Sequence, residues 1–157
     1  MKFQNEIEIQ RSINDVFEFV ADMRNMPKWN YFVTKVTQEN GDGPERGARY
    51  YQTRKTDSQR YNIIHFEPEQ SLVIKTDPSS SPAFERHLRF ESTANGTRLI
   101  DEMTLRTGYP VILERLVAGR TRRAVAENLG KLKELLEDGQ TQLQDGRVTY
   151  LASLAET

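Results

Sequence analysis

Two charged residues stand among apolar neighbours in this sequence, and they are its first candidates for chemistry. Asp101 lies between Leu99 and Met103, and Arg86 between Phe84 and Leu88, in stretches that alternate apolar and polar residues. If the alternation buries one side of each stretch, both charges go inside with it. A buried charge must be paired or hydrogen-bonded, because its desolvation is otherwise strongly destabilising. Arg122 joins them, since it falls within the apolar stripe of a long helical pattern near the C-terminus. Three readings of Arg122 stay open. It forms a structural ion pair with Asp101 or snorkels to the pocket mouth, it grips a ligand carboxylate or other oxyanion with its planar fork, or a helix bend turns it to water. Asp101 likewise reads as a general acid or base if unpaired, and as structural if an arginine holds it.

Tyr50, Tyr61 and His65 are further acid–base candidates by position. His65, Glu67 and Glu69 alternate near a strand end, but two carboxylates and one histidine around Pro68 arise easily by chance, so no metal site is assigned. His87 shares its side of a strand with Glu85 and Arg89 and reads as solvated. The chain has no cysteine, which excludes disulfides, thiolate zinc sites and cysteine nucleophiles. It also lacks G-x-S-x-G, Walker, G-x-G-x-x-G and H-E-x-x-H patterns, and no bound cofactor is implied. With a net charge of −1, nothing in the overall balance draws it to nucleic acid or an anionic membrane, and the Gly119–Arg123 run reads as a solvated helix face. The first residues alternate charge and apolarity, unlike a signal peptide, and no run approaches the roughly 20 apolar residues of a membrane span. The expectation is a soluble cytoplasmic protein with no integral membrane association.

These residues need a scaffold. Phe3 to Gln10 alternates as a half-buried strand. Ser12 then starts a helix, with Asp15 three residues on and Ile13, Val16, Phe17 and Val20 on one face. Met23 to Asn30 forms a second short helical piece interrupted by Pro27, with Trp29 as its largest apolar group. Strands follow at 31–38, 47–56, 61–66 and 71–76, with turns at Asn40–Gly43 and Glu67–Glu69 and a loop at Asp77–Pro82.

Phe84–Ser92 and Thr97–Arg106 form a hairpin around Asn95–Gly96. With Asn95–Gly96 as a two-residue turn, Arg89 faces Glu102 and Glu85 faces Arg106, which suits a solvated side. The other side carries Phe84, Leu88, Phe90, Leu99, Met103 and Leu105, with Arg86 and Asp101 intruding. From Pro110 to Gly139 a single long helix stacks Val111, Ala118, Val125, Leu129, Leu132 and Leu136 at about 100° per residue. Arg115 sits at the edge of this stripe, and Arg120 and Arg123 point away from it. Gly119, mid-helix, either permits close approach to the sheet or leaves space beside it. A long helix after a run of antiparallel strands must bury its apolar face on the sheet, with room for a pocket between them.

The chain resembles the SRPBCC superfamily of START-like, helix-grip proteins, and within it the polyketide cyclase/dehydrase-like branch. The residues that carry the resemblance are IEIQRSINDVFEFVADMRNMPKW at 7–29, GARYYQ at 47–52, HFEPEQSLV at 65–73, NGTRL at 95–99 and NLGKLKELLE at 128–137. The resemblance implies an α+β helix-grip fold over residues 1–138. A curved seven-stranded antiparallel sheet would wrap around the C-terminal helix, with two short helices between the first two strands and a cavity inside. It implies no single function, since such folds serve carriers, enzymes and receptors alike. Residues 139–157 extend past the usual end, and Val148, Tyr150, Leu151 and Leu154 would dock on the body or on a second subunit, or hang as a loose tail.

The expected function is to bind a small, largely hydrophobic ligand, of lipid, polyketide or aromatic type, in that cavity. Its apolar wall would include Leu88, Phe90, Leu99, Met103, Leu105, Ala118 and Val125, and Arg122, with Arg86 or Asp101, would meet a polar end. Two alternatives stand beside it: a cyclase/dehydratase-like enzyme using Asp101, and an interaction module with a filled core. A homodimer is left open.

Overall fold

Strand and helix follow the patterning from the first residues of a computed structural model that describes residues 1–151. Strand β1 (Lys2–Ile9) buries Phe3 and Ile9. Helix α1 (Ile13–Ala21) starts at Ser12, whose side chain accepts from the Asp15 N–H, and it buries Val16, Phe17, Val20 and Ala21. A 3₁₀ turn, Met23–Lys28, follows and leads to Trp29, which is almost fully buried. Six more strands come next: β2 (Val33–Gln38), β3 (Arg49–Arg54), β4 (Ser58–Glu67), β5 (Ser71–Thr76), β6 (Ala83–Thr93) and β7 (Gly96–Arg106). They form one seven-stranded antiparallel sheet in the order β1-β7-β6-β5-β4-β3-β2. Helix α2 (Val111–Asp138) ends at Gly139, which adopts the left-handed conformation that closes helices and donates its N–H to the Leu135 carbonyl. This is the α+β helix-grip arrangement expected from the sequence.

Several boundaries differ from the sequence reading, each for a local reason. Strand β2 begins at Val33 rather than Tyr31, because Asn30 makes a turn in which its side chain accepts from the Phe32 N–H. Strand β3 stops at Arg54, whose guanidinium forms a two-point bridge to Asp57 across the tight turn into β4. The β6–β7 turn is Ala94–Asn95, not Asn95–Gly96, so Thr93 pairs with Gly96 and the register moves by two. Arg89 therefore faces Ile100, and Glu85 faces Thr104. A shift of two leaves every side chain on its expected face. Gly96 serves a different purpose from turning. At φ 158° it passes so close to Ile9 of β1 that an added Cβ would overlap the Ile9 carbonyl oxygen.

Helix α2 also departs from the even stripe. Val125, Leu129, Leu132 and Leu136 are buried, together with Asn128 and Leu135. Val111 is 68% exposed and Ala118 only half-buried, so the sheet receives the second half of the helix and not the first. An added Cβ on Gly119 would meet nothing within 4 Å, which selects open space over close approach there.

Beyond α2, strands β8 (Gln140–Gln142) and β9 (Val148–Tyr150) form a hairpin. It docks on the body. Thr149 donates to the Lys28 carbonyl at 2.7 Å, Lys55 bridges Asp145 at 2.9 Å, and Leu143 and Leu151 are buried. Val148 and Tyr150 remain exposed, and Leu154 lies outside the described residues.

Opposite effects are expected at the two glycines. Gly96→Ala should lower the unfolding free energy by about 2 kcal/mol, because backbone of β1 must move. Gly119→Ala should raise it by roughly 0.5–1 kcal/mol through helix propensity alone. Chemical denaturation of both variants checks the pair; a neutral Gly96→Ala would contradict the packing of β7 on Ile9.

Candidate functional site

The interior of the sheet is filled at one end and open at the other. Under α1, Phe17 packs edge-on against Phe90 with ring centroids 5.0 Å apart, and against Phe66 at 5.5 Å. Phe90 belongs to that filled end, and Leu88 and Leu99 are buried in the same core. Towards the other end a cavity of about 330 Å³ lies between the sheet, the 3₁₀ segment and one flank of α2. The helix contributes Arg120, Thr121, Ala124, Val125 and Asn128, a flank offset from its buried stripe. The sheet contributes Gln52, Arg54, Ile74, Phe84, Arg86, Met103 and Leu105. Met26, Asn30, Phe32 and Val33 close one side.

Of the residues expected from sequence to meet a ligand, Arg86, Met103, Leu105 and Val125 line this cavity. Leu88, Phe90 and Leu99 do not; all three are buried in the packed core, Phe90 against Phe17 of α1. Ala118 lies beyond it, on the half of α2 that has left the sheet. Arg122 is exposed and does not line this cavity; its carbonyl accepts a hydrogen bond from Asn5 of β1 at 3.1 Å. There is no Arg122–Asp101 pair. Asp101 is held by Arg86 instead.

That pair is the electrostatic centre of the interior. Arg86 Nε donates to one Asp101 oxygen at 2.9 Å and Nη2 to the other at 2.5 Å, with side chains 5% and 0% exposed. The two residues are diagonal neighbours on one face, since Arg86 pairs with Met103 and Asp101 with Leu88. The guanidinium also lies 5.5 Å from the centroid of the Trp29 ring. Burial disfavours the charge on Arg86, but the Asp101 carboxylate outweighs it, and the guanidinium pKa ends above its ordinary value. Asp101 does not line the cavity. Arg86 does, and no hydrogen bond among the described residues uses its Nη1.

Gln52, which lines the same space, makes no side-chain hydrogen bond among the described residues. Sequence reasoning missed it, although it alternates with Tyr50 on the inner face of β3. It also missed Arg120, Thr121 and Asn128, because it aimed Arg120 away from the stripe; the cavity lies beside the stripe, not over it. Arg120 is exposed at the cavity wall and enters no ion pair among the described residues. Tyr50 and Tyr61 stack with centroids 5.5 Å apart, and both hydroxyls are buried without a partner among the described residues. Burial pushes the Tyr50 phenol up to about 12 and raises that of Tyr61 as well, so neither is poised to give up its proton. His65 is exposed and bonded to Ser71 at 2.9 Å, Glu69 accepts from Asn14, and no metal-holding group occurs among the described residues.

Residues 1–137 match the profile of a family described as polyketide cyclase/dehydrase and lipid transport. No curated protein shows a significant match to the sequence. Among solved structures, TTHA0849 from Thermus thermophilus is similar with a TM-score of 0.71 and 16% identity, over 87% of this chain and 97% of that one. The di-domain ARO/CYC StfQ of the steffimycin biosynthetic pathway gives 0.69 and 17%, over 87% of this chain and 50% of its own. The Aha1 dimer from Colwellia psychrerythraea gives 0.65 and 14%, over 87% and 96%. At these identities the likeness is one of fold.

Breaking the buried pair from one side should be costly. Asp101→Ala leaves Arg86 charged and unpaired, with an expected loss of about 3–5 kcal/mol of stability. Replacing both, as Arg86→Met with Asp101→Leu, should restore most of it. A double-mutant cycle by denaturant unfolding reads the coupling; additive effects would contradict the pairing.

Proposed function

The chain belongs to the polyketide cyclase/dehydrase and lipid transport family, and from that premise we propose that it binds a small, largely apolar ligand in the cavity between the sheet and α2. The ligand carries one polar end, an acidic or carbonyl group, received by Gln52 and the free edge of Arg86. One observation carries this reading: among apolar walls, these two buried side chains present donors that no group among the described residues accepts. These donors open onto the cavity, so a ligand acceptor takes the place of water there and meets them without further rearrangement. The Asp101 carboxylate holds the guanidinium in place, so the fork meets the ligand pre-oriented. Three arginines line the wall; Arg54 is bridged to Asp57, whereas Arg120 enters no ion pair among the described residues and favours an acidic ligand.

Two features favour binding over turnover. General acid–base chemistry needs a titratable group within reach of the substrate. The cavity wall holds no Asp, Glu, His, Tyr or Lys among the described residues, and both oxygens of Asp101 already accept from Arg86. The volume of about 330 Å³ falls at the small end of ligand pockets, which run from roughly 300 to 1,000 Å³, so the filled-core alternative is less well supported.

Calorimetric titration with naphthoic acid, a flat apolar probe with one carboxylate, tests the reading. Gln52→Leu should weaken binding about tenfold, the value of one hydrogen bond, with melting temperature unchanged. Ala124→Trp, which fills the cavity, should abolish binding. Wild-type affinity in the Ala124→Trp variant would place the probe elsewhere and sink the proposal.

A further inference from the structure

The overall charge of −1 conceals a sharp segregation. From Thr104 to Ala126 the chain carries five arginines, Arg106, Arg115, Arg120, Arg122 and Arg123, and one carboxylate, Glu114. All five arginines are exposed, and none enters an ion pair among the described residues. Glu114 is already engaged by the N-terminal amine at 2.9 Å. The rest of the chain is correspondingly acidic.

Among the described residues, the largest cluster of exposed apolar side chains sits within this basic segment. Val111, Ile112 and Leu116 are 68%, 80% and 62% exposed, and Leu113 and Tyr109 are also exposed. The four aliphatic residues occupy the first turns of α2, and Tyr109 lies just before the helix. Val111, Ile112 and Leu113 are consecutive, so at about 100° per residue they point in three directions. The result is a convex apolar knob, not a flat stripe. A rigid protein partner would need a socket around the helix end, whereas a fluid phase closes around such a knob without one.

We infer that this end of α2 docks on an anionic phospholipid surface. The aliphatic knob enters the interface between headgroups and acyl chains. The surrounding arginines stay at headgroup level, where each adds attraction to anionic lipid. Tyr109 has the amphipathic ring that membrane interfaces favour. A second copy of this chain fits the surface less well. A two-fold contact would bring arginines against arginines, and the one carboxylate of the segment is already occupied. No helix among the described residues is long and apolar enough to cross a membrane, so the contact is peripheral. It does not depend on what the cavity holds, although Leu105 and Arg120, on either side of the knob, both line the cavity.

Co-sedimentation of the full chain with vesicles tests the inference. The wild type should sediment with phosphatidylcholine vesicles containing phosphatidylglycerol, only weakly with phosphatidylcholine alone, and less as salt rises. Ile112→Glu with Leu116→Glu should reduce partition roughly tenfold or more, since both groups leave the interface. Neither side chain lines the cavity, so the variant should keep wild-type melting and naphthoic acid titration. Arg115→Gln with Arg123→Gln should weaken binding to anionic vesicles and flatten its salt dependence. A wild type that stays in the supernatant with anionic vesicles overturns the inference. Concentration-dependent dimerisation in sedimentation velocity, lost in the double glutamate variant and without vesicle binding, overturns it in favour of a self-interface.

Discussion

An ion pair buried inside a sheet constrains everything around it. Arg86 and Asp101 sit on the inner face of β6 and β7, where neither charge is tolerable alone. Their two-point contact demands the diagonal offset that the β6–β7 register supplies. Trp29 lies over the guanidinium, so the chain between α1 and β2 must fold back across the sheet to reach it. A pair of apolar residues of the same volume would be no less stable in general. What the ion pair adds is an oriented cation with a free edge on the cavity, and such an edge is useful only if something occupies that cavity.

The same geometry divides the interior. Aromatic packing of Phe17, Phe66 and Phe90 fills the end beneath α1. At the other end α2 buries side chains only from Val125 onward, its first half held by the Asn5–Arg122 and Met1–Glu114 contacts at the β1 edge, and space is left beside Thr121 and Ala124. The docked β8–β9 hairpin braces this arrangement from outside the region matched by the family. Gln144 donates to Asn128 in the cavity wall at 3.0 Å, and Arg147 reaches the Tyr31 carbonyl at 3.3 Å. One departure of a helix from a sheet thus produces both the cavity and the exposed apolar helix end.

The fold was legible in the sequence because period-two and period-3.6 patterns survive small errors. The β6–β7 turn falls one residue early and the register shifts by two, yet Phe84, Arg86, Leu88, Asp101 and Met103 keep their face. The inward charges were legible for the same reason. Their pairing was not, because the stripe through Arg122 carries no information on where along its length a helix leaves a sheet. Arg122 faces water, and Arg86, already on the same face, takes its place. Gln52, Arg120 and Asn128 went unseen since a cavity is defined by where elements fail to meet, which no single element's pattern records. The clustering of arginines around an apolar helix end was visible in the letters, but net charge averages it away.

Native mass spectrometry of the full chain, prepared gently from its own host, tests the central claim most directly. The account predicts a complex heavier than the bare chain by one small molecule, which on extraction proves largely apolar with one polar end. It also predicts that the added mass disappears in the Ala124→Trp variant. A bare-chain mass throughout, or an adduct that persists with the cavity filled, would contradict it.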